Sequence, residues 1–410
     1  MRLSSLTREF FTANRRRLMD RLPEGLVVAV TANGMLQRGA DSAYHFTQDA
    51  NFFYLTGIDE PDIILVMDSR REFLIVPARE RERTVFDGQV DPQRLSAISG
   101  INDIVNEPNG WKRIDALILN TKNIATLAPA PSFIEQYGMY ANPSRSRFIE
   151  RLKRHTQDLE IVDIRPDLAA IRMIKQPLEL KVMQQAIDIT LATLKEVMNK
   201  PHGYYAYEFQ IEADISRGFR FRGSLGHAFE PIVASGKQAC TLHNVINEKR
   251  LGPNELVVID VGANVSGYAA DITRVMATGK PTKRQKDIFK AVKDTQAYAF
   301  SLLGPGVRLK TYENQVVKFI GSKLKELKVI TNLKPETIRR YYPHATSHFL
   351  GLNVHDVGDY TKPLLPGSVL TVEPGIYIPE ENTGVRIEDD ILITKEGIKV
   401  LSSALPAKLD

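Results

Sequence analysis

Val257-Val258-Ile259-Asp260-Val261-Gly262-Ala263-Asn264-Val265-Ser266-Gly267-Tyr268-Ala269-Ala270-Asp271-Ile272-Thr273-Arg274-Val275 is the stretch whose reading decides the fold. β-Branched residues fill both flanks, while Gly, Asn and Ser crowd the middle, so it reads as two strands joined by a tight turn. Each flank carries one aspartate, Asp260 or Asp271. With the turn centred between Val265 and Ser266, the two are equidistant from its tip. They then face each other across the hairpin with Cβ atoms about 5 Å apart. Carboxylates held that close repel unless a cation or a shared proton lies between them. A metal ion is the reading adopted.

A second stretch repeats the arrangement. Thr371–Ile378 (TVEPGIYI) and Gly384–Thr394 (GVRIEDDILIT) are apolar and strand-like, with Pro379-Glu380-Glu381-Asn382 as the turn. Glu373 and Glu388 are equidistant from its centre and should face one another. Pro374 cannot donate to a ladder, which puts Glu373 at a strand end or an unpaired position. Between the hairpins runs Ser347-His348-Phe349-Leu350-Gly351-Leu352-Asn353-Val354-His355-Asp356. Two Asp, two Glu and a His supply mostly hard oxygen ligands plus one imidazole. Such a set suits a pair of Mn²⁺, Co²⁺, Zn²⁺ or Fe²⁺ ions better than a single closed zinc site.

These segments resemble the pita-bread-fold metallopeptidases, and among them the Xaa-Pro aminopeptidases. The residues that carry the likeness are Val258–Ala263, Ala270–Arg274, Ser347–Gly351, Val372–Gly375 and Arg386–Asp389, in that order and spacing. Gln48–Ile58 with Glu60-Pro61-Asp62 resembles the signature of that group's amino-terminal domain, so the likeness covers nearly the whole chain. It implies that Asp260 ligates one metal, that Asp271 and Glu388 bridge both, and that His348 with Glu373 completes the second. The ions implied are two divalent metals, manganese first. His243 resembles a catalytic histidine outside the ligand set, His355 one that contacts the substrate carbonyl, and His344 one that lines the substrate pocket. Phe229 and Asn244 stand where relatives often carry tyrosine, a departure that touches the substrate pocket and leaves the ligand set intact.

Composition bounds the alternatives. A chain of 410 residues is long for one core and implies two domains. The 43% hydrophobic and 25% charged content is that of a globular protein. The single cysteine, Cys240, excludes an internal disulfide and fits a reducing compartment. No apolar run approaches the ~20 residues of a membrane span. The net charge of +5 is small for the length. Arg15-Arg16-Arg17 is the one dense basic run, and it shares a helical pattern with Leu6, Phe10, Leu18 and Leu22. We read it as a solvated helix flank and not as a nucleic-acid patch. Glu9 and Asp20 argue against a transit peptide there, and the chain is expected in the cytoplasm.

Further along, Leu26–Ala32, Ile63–Asp68, Glu72–Val76 and Ala116–Leu119 read as strands, Arg145–Arg154 as a helix and Glu160–Ile164 as a last strand. They make residues 1–166 a small α/β domain without a phosphate loop. Residues 167–410 form the catalytic domain, whose pita-bread plan has two pseudo-two-fold halves, each giving a hairpin of acids to one site. Pro177 opens a long helix with Leu180, Met183, Ile187, Leu191, Leu194 and Met198 on one face. Thr282 with Gln285 makes a capping box, and Val316, Val317, Ile320, Leu324 and Leu327 mark another helix.

Single acids on strands usually cap turns or pair with arginine, and Arg274 and Arg386 are the near candidates. Four acids and a histidine recurring in family order outweigh that reading. Cys240 with His243 as nucleophile and base lacks an orienting group, and a small buried residue is preferred. The resemblance implies release of the residue preceding proline from a peptide amino terminus, by a hydroxide that two metals activate. In that scheme Glu373 is the general base, a metal and His355 steady the oxyanion, and Arg386 lies in the substrate site. Nucleic acid and membranes are not expected partners; a homo-oligomer, dimer or tetramer, is. A dipeptidase, creatinase-like hydrolysis, methionine aminopeptidase and an inactive binding module are the alternatives.

Overall fold

The computed structural model describes residues 6–78, 84–86, 88–129, 138–155 and 158–409. They form two compact units, Leu6–Ile171 and Arg172–Asp410.

The first unit is built on a mixed six-stranded sheet of order β4-β3-β2-β1-β5-β6. Its strands are β1 (Val28–Thr31), β2 (Ile64–Met67), β3 (Glu72–Val76), β4 (Ile104–Asn106), β5 (Asn123–Thr126) and β6 (Glu160–Asp163). β1 and β2 are buried at every position, as their unbroken apolar runs require of strands covered on both faces. Ala116–Leu119 is not a strand. It lies in the helix Glu107–Thr121, capped by Asn106, which buries Trp111, Ile114 and Ile118 against the sheet. Those three recur at helical spacing, and a four-residue apolar run cannot by itself distinguish helix from strand. The basic run also differs from expectation. Arg16 is exposed, but Arg15 is buried and bridges Glu72 at 2.6 Å, and Arg17 donates to the Tyr54 hydroxyl at 2.8 Å.

The amino-terminal signature has a structural account here. Asp49 accepts from the backbone amides of Asn51 and Phe52 and so caps the helix Ala50–Thr56. Arg145 pairs with the same carboxylate. Gly57 ends the helix at φ +69°, where a Cβ would meet the Phe11 ring at 2.3 Å.

The second unit has two halves of like plan. The first packs the helices Pro177–Met198 and Glu208–Phe221 against β7 (Gly226–His227), β8 (Ile232–Ser235), β9 (Leu256–Val261), β10 (Ala263–Val265), β11 (Tyr268–Ala269) and β12 (Ile272–Ala277). The second follows with the helices Lys283–Leu302, Leu309–Glu326 and Pro335–Tyr341. Its strands are β13 (Val369–Val372), β14 (Gly375–Ile378), β15 (Thr383–Arg386), β16 (Asp389–Ile393) and β17 (Ile398–Val400). The expected capping box of Thr282 and Gln285 is present. Ile288, Phe289 and Val292 behind it join Ile320 and Leu324 in a core that runs under both hairpins.

Each hairpin is bent, and each bend holds acids. In the first, β9 lies between β12 and β8 in one sheet, while β10 lies between β11 and β7 in another. The break falls at Gly262, where an added Cβ would lie 1.7 Å from the Ala270 carbonyl oxygen. Only glycine permits that approach. In the second, β13–β16 and β14–β15 are separate ladders, broken at Glu373-Pro374 and Ile387-Glu388. With no ladder partner, the Glu373 amide donates to the Thr346 carbonyl at 2.9 Å and the Glu388 amide to that of Thr273 at 3.2 Å. The latter bond ties the two hairpins together.

Candidate metal centre

Register decides how the acids meet. Ile272 pairs with Val261 and Thr273 with Asp260, so the first turn is centred between Ser266 and Gly267. Both turn residues have positive φ, +51° and +86°, the conformation that matches strand twist in a two-residue hairpin. Asp260 and Asp271 are therefore diagonal neighbours and do not stand directly opposite each other. The shift is two residues, so both keep the same face. In the second hairpin Gly375 pairs with Arg386 and Val372 with Asp389. Glu373 and Glu388 accordingly fall at matching positions in the gap between the ladders, as expected.

Around this bend the predicted ligands converge. Oxygen or nitrogen atoms of Asp271, His348 and Glu388 lie within 4.8 Å of one another. His348 Nε2 is 3.5 Å from Asp271 Oδ2 and 3.3 Å from Glu373 Oε1. Its Nδ1 donates to the Phe349 carbonyl at 3.1 Å. That bond selects the tautomer whose Nε2 is bare, and so aims a lone pair at two carboxylates. Asp260 is buried, with Oδ2 on the Arg386 guanidinium at 2.5 Å and Oδ1 without any hydrogen-bond partner. Burial, then Asp260, Asp390 and Glu373, push the Asp271 carboxyl well above its usual range. Burial, then Asp271, Glu373 and Asp260, do the same to Glu388. Burial also raises Glu373, against the pull of His348 and Arg386. Crowded acids, a bare imidazole nitrogen and an orphaned carboxylate oxygen are the donor set that a divalent cation satisfies. The residues fit the group.

The remaining predicted residues surround the cluster. Arg386 contacts Asp260, the Thr273 hydroxyl at 3.2 Å and the Tyr377 hydroxyl at 3.0 Å. His344 donates through Nδ1 to the Ala345 carbonyl, leaving Nε2 to accept from Tyr377 at 2.8 Å. Burial and then Arg386 lower its pKa to about 3, so the ring is neutral. His355 packs edge-on against His348, ring centroids 4.4 Å apart. Burial, then His348 and His243, lower its pKa to about 4. His243 is exposed. Phe229 lies against Gly262, and Asn244 is buried beside His243. Cys240 is half-buried against the Thr383 carbonyl, and burial raises its thiol, the opposite of what a nucleophile needs.

Three residues of this network were assigned no role from the sequence. Tyr377 joins His344 to Arg386. Thr273 donates to Glu388 at 2.6 Å while accepting from Arg386. Asp390 accepts the Asp271 amide at 3.2 Å. Thr273 could have been found by period, being two residues beyond Asp271 on the acidic face.

Buried acids from two bent hairpins, gathered around one imidazole, form a candidate metallohydrolase centre. The chain belongs to metallopeptidase family M24, whose model matches residues 181–395, and carries the amino-terminal domain of aminopeptidase P at residues 11–124. It is 31% identical to the Xaa-Pro aminopeptidase of Haemophilus influenzae over 99% of this chain and 97% of that one. Among solved structures, Pseudomonas aeruginosa aminopeptidase PepP superposes with a TM-score of 0.88 at 26% identity, covering 98% and 96% of the two chains. Zinc-substituted Escherichia coli aminopeptidase P in complex with product superposes with 0.86 at 28%, covering 99% and 97%. The mixed α/β fold and the family expected from sequence are thereby established, as is a metal-dependent aminopeptidase. No described helix is long and apolar enough to cross a membrane.

Proposed function

We propose that this enzyme releases the amino-terminal residue from peptides with proline in the second position. Two divalent ions, manganese first, would be held by Asp260, Asp271, His348, Glu373 and Glu388. The observation that carries the ligand assignment is the bare His348 Nε2 facing Asp271 and Glu373. When bound, the ions supply the Lewis acidity that brings the pKa of a water near 7.

The protein's own groups do the rest. Glu373, its affinity for protons raised by burial, takes the proton of the attacking water and passes it to the leaving nitrogen. His355 is neutral at physiological pH, so it meets the developing oxyanion as a hydrogen-bond donor. His344 lines the pocket with its ring, because both nitrogens are already engaged. An Xaa-Pro bond is a tertiary amide with no N–H, which calls for a dedicated pocket. The working form is a cytoplasmic homo-oligomer.

Arg386 favours an aminopeptidase over a dipeptidase. A dipeptidase must bind the free proline carboxylate, and this buried guanidinium is already committed to Asp260, Thr273 and Tyr377. The test compares kcat/KM for an Xaa-Pro dipeptide, the same sequence extended by several residues, and an Xaa-Ala control. Cleavage of the extended peptide, with the Xaa-Ala control much slower, is expected. Cleavage confined to the dipeptide would assign a dipeptidase, and equal rates on Xaa-Ala would remove the proline specificity.

His243→Ala and His355→Ala are each expected to lower kcat by roughly 10²–10³, the usual effect of losing one oxyanion-type donor. Metal content should stay at the wild-type level, since neither residue belongs to the ligand set. Loss of metal in either variant would overturn its assigned place, and wild-type turnover would make that histidine structural.

A further inference from the structure

His348 and His355 stand at the two ends of a short loop, and Asp356 closes it. The Asp356 amide donates to the Phe349 carbonyl at 2.8 Å. This carbonyl also accepts His348 Nδ1 at 3.1 Å. One oxygen therefore fixes both the loop closure and the tautomer of the candidate metal ligand.

The Asp356 side chain enters a buried anchor. Oδ1 meets Arg172 Nη2 at 2.5 Å and Oδ2 meets Lys175 Nζ at 3.1 Å. All three side chains are at most 2% exposed. Burial raises the Asp356 carboxyl, but Arg172 and then Lys175 outweigh it and keep the group ionised. The chain is shaped around this pair: a Cβ on Gly351 would lie 2.1 Å from Asp356 Oδ2 and 3.0 Å from Lys175 Nζ. A buried cluster of two cations and one carboxylate costs more in desolvation than an apolar packing would. Its benefit is geometric, because a charged fork fixes position as well as distance.

We infer that Asp356 is a positioning residue, which through the Arg172–Asp356–Lys175 anchor holds the His355 ring against His348 and in reach of the scissile carbonyl. The inference rests on the role proposed above for His355.

The experiment is a double-mutant cycle on the full chain, with turnover measured on the manganese-loaded form and histidine spectra on the diamagnetic zinc-loaded form. Asp356→Asn should lower kcat about 10- to 100-fold, as loss of a supporting partner commonly does, with KM and metal content nearly unchanged. In a His355→Ala background the same substitution should have little further effect, since the ring it positions is gone. Independently of turnover, ¹³C-histidine NMR should show the His348–His355 ring contact in the parent and its loss in Asp356→Asn. Lys175→Met keeps the Arg172–Asp356 pair and should weaken that contact by a smaller step; it serves the same cycle where Asp356→Asn does not fold. Multiplicative losses in the double variant, or an unchanged ring contact, would overturn the inference. Wild-type turnover of His355→Ala would instead remove the catalytic role proposed for that ring, while the ring signals would still decide whether Asp356 positions it.

Discussion

Asp271→Ala is expected to abolish peptide hydrolysis while leaving the chain folded, and to make the metal-free protein more stable than the parent. Both halves follow from the same crowding. Asp271 is buried near Asp260, Asp390 and Glu373, and its carboxyl is raised well above the usual range by burial and then by those charges. In the proposed centre it is a metal ligand that no neighbour would replace. Without metal it is a charge the site cannot accommodate. The pH dependence separates the two. A carboxyl whose folded pKa exceeds its unfolded value of 3.8 stabilises fully below that value. This contribution disappears as pH rises through the folded pKa, because the native state binds the extra proton. The metal-free parent should therefore fall progressively below Asp271→Ala in Tm as pH rises above 3.8 and through the raised folded pKa. Metal added to the parent reverses the order, because a ligand that binds only the native state stabilises it by mass action. Calorimetry of chelator-treated and metal-loaded protein, with elemental analysis of bound metal, checks each part. Full activity in the variant, or an active parent without metal, would refute the ligand assignment.

The acids were legible because strand periodicity is forgiving. Moving the first turn by one residue displaced the register by two, which keeps Asp260 and Asp271 on one face. A one-residue register slip would have sent one of them to the opposite side. The turn was misplaced because Ser266 adopts positive φ beside Gly267, a conformation more typical of Asn or Asp. The bends were only half visible: Pro374 marked one break, whereas nothing local marks Gly262 as the residue pressed against the Ala270 carbonyl. Ala116–Leu119 failed for want of length, since its helical partners Trp111 and Ile114 lie upstream. Arg15 failed because its partner, Glu72, is 57 residues away. Tyr377 and Asp356 escaped for the same reason. Their roles consist of contacts with Arg386 and His344, or with Arg172 and Lys175, which only the folded chain assembles.

Arg386→Met is expected to destabilise the metal-free enzyme by about 3–5 kcal/mol, the usual cost of removing one partner from a buried ion pair. Methionine fills much of the same volume, so the loss reports charge and not a cavity. The guanidinium is 4% exposed and serves three acceptors at once. Burial works against its charge, yet Tyr377, Asp260 and Glu388 together hold it cationic. Without it, Asp260 retains no side-chain hydrogen-bond donor, because its other oxygen already lacks one. Thr273 would keep its bond to Glu388 and Tyr377 its bond to His344, so the damage centres on one carboxylate. A metal ion held at Asp260, as proposed, would supply the missing positive charge, and the destabilisation should shrink markedly in the loaded enzyme. Arg386→Lys should fall between, since a single ammonium cannot reproduce a fork that reaches three partners. Chemical denaturation of the parent and both variants, with and without metal, measures the contrast. Equal losses in the two states would mean that Arg386 supports the fold independently of the metal centre. No loss in either would show that Asp260 does not need the charge, and the electrostatic account of the site would fail.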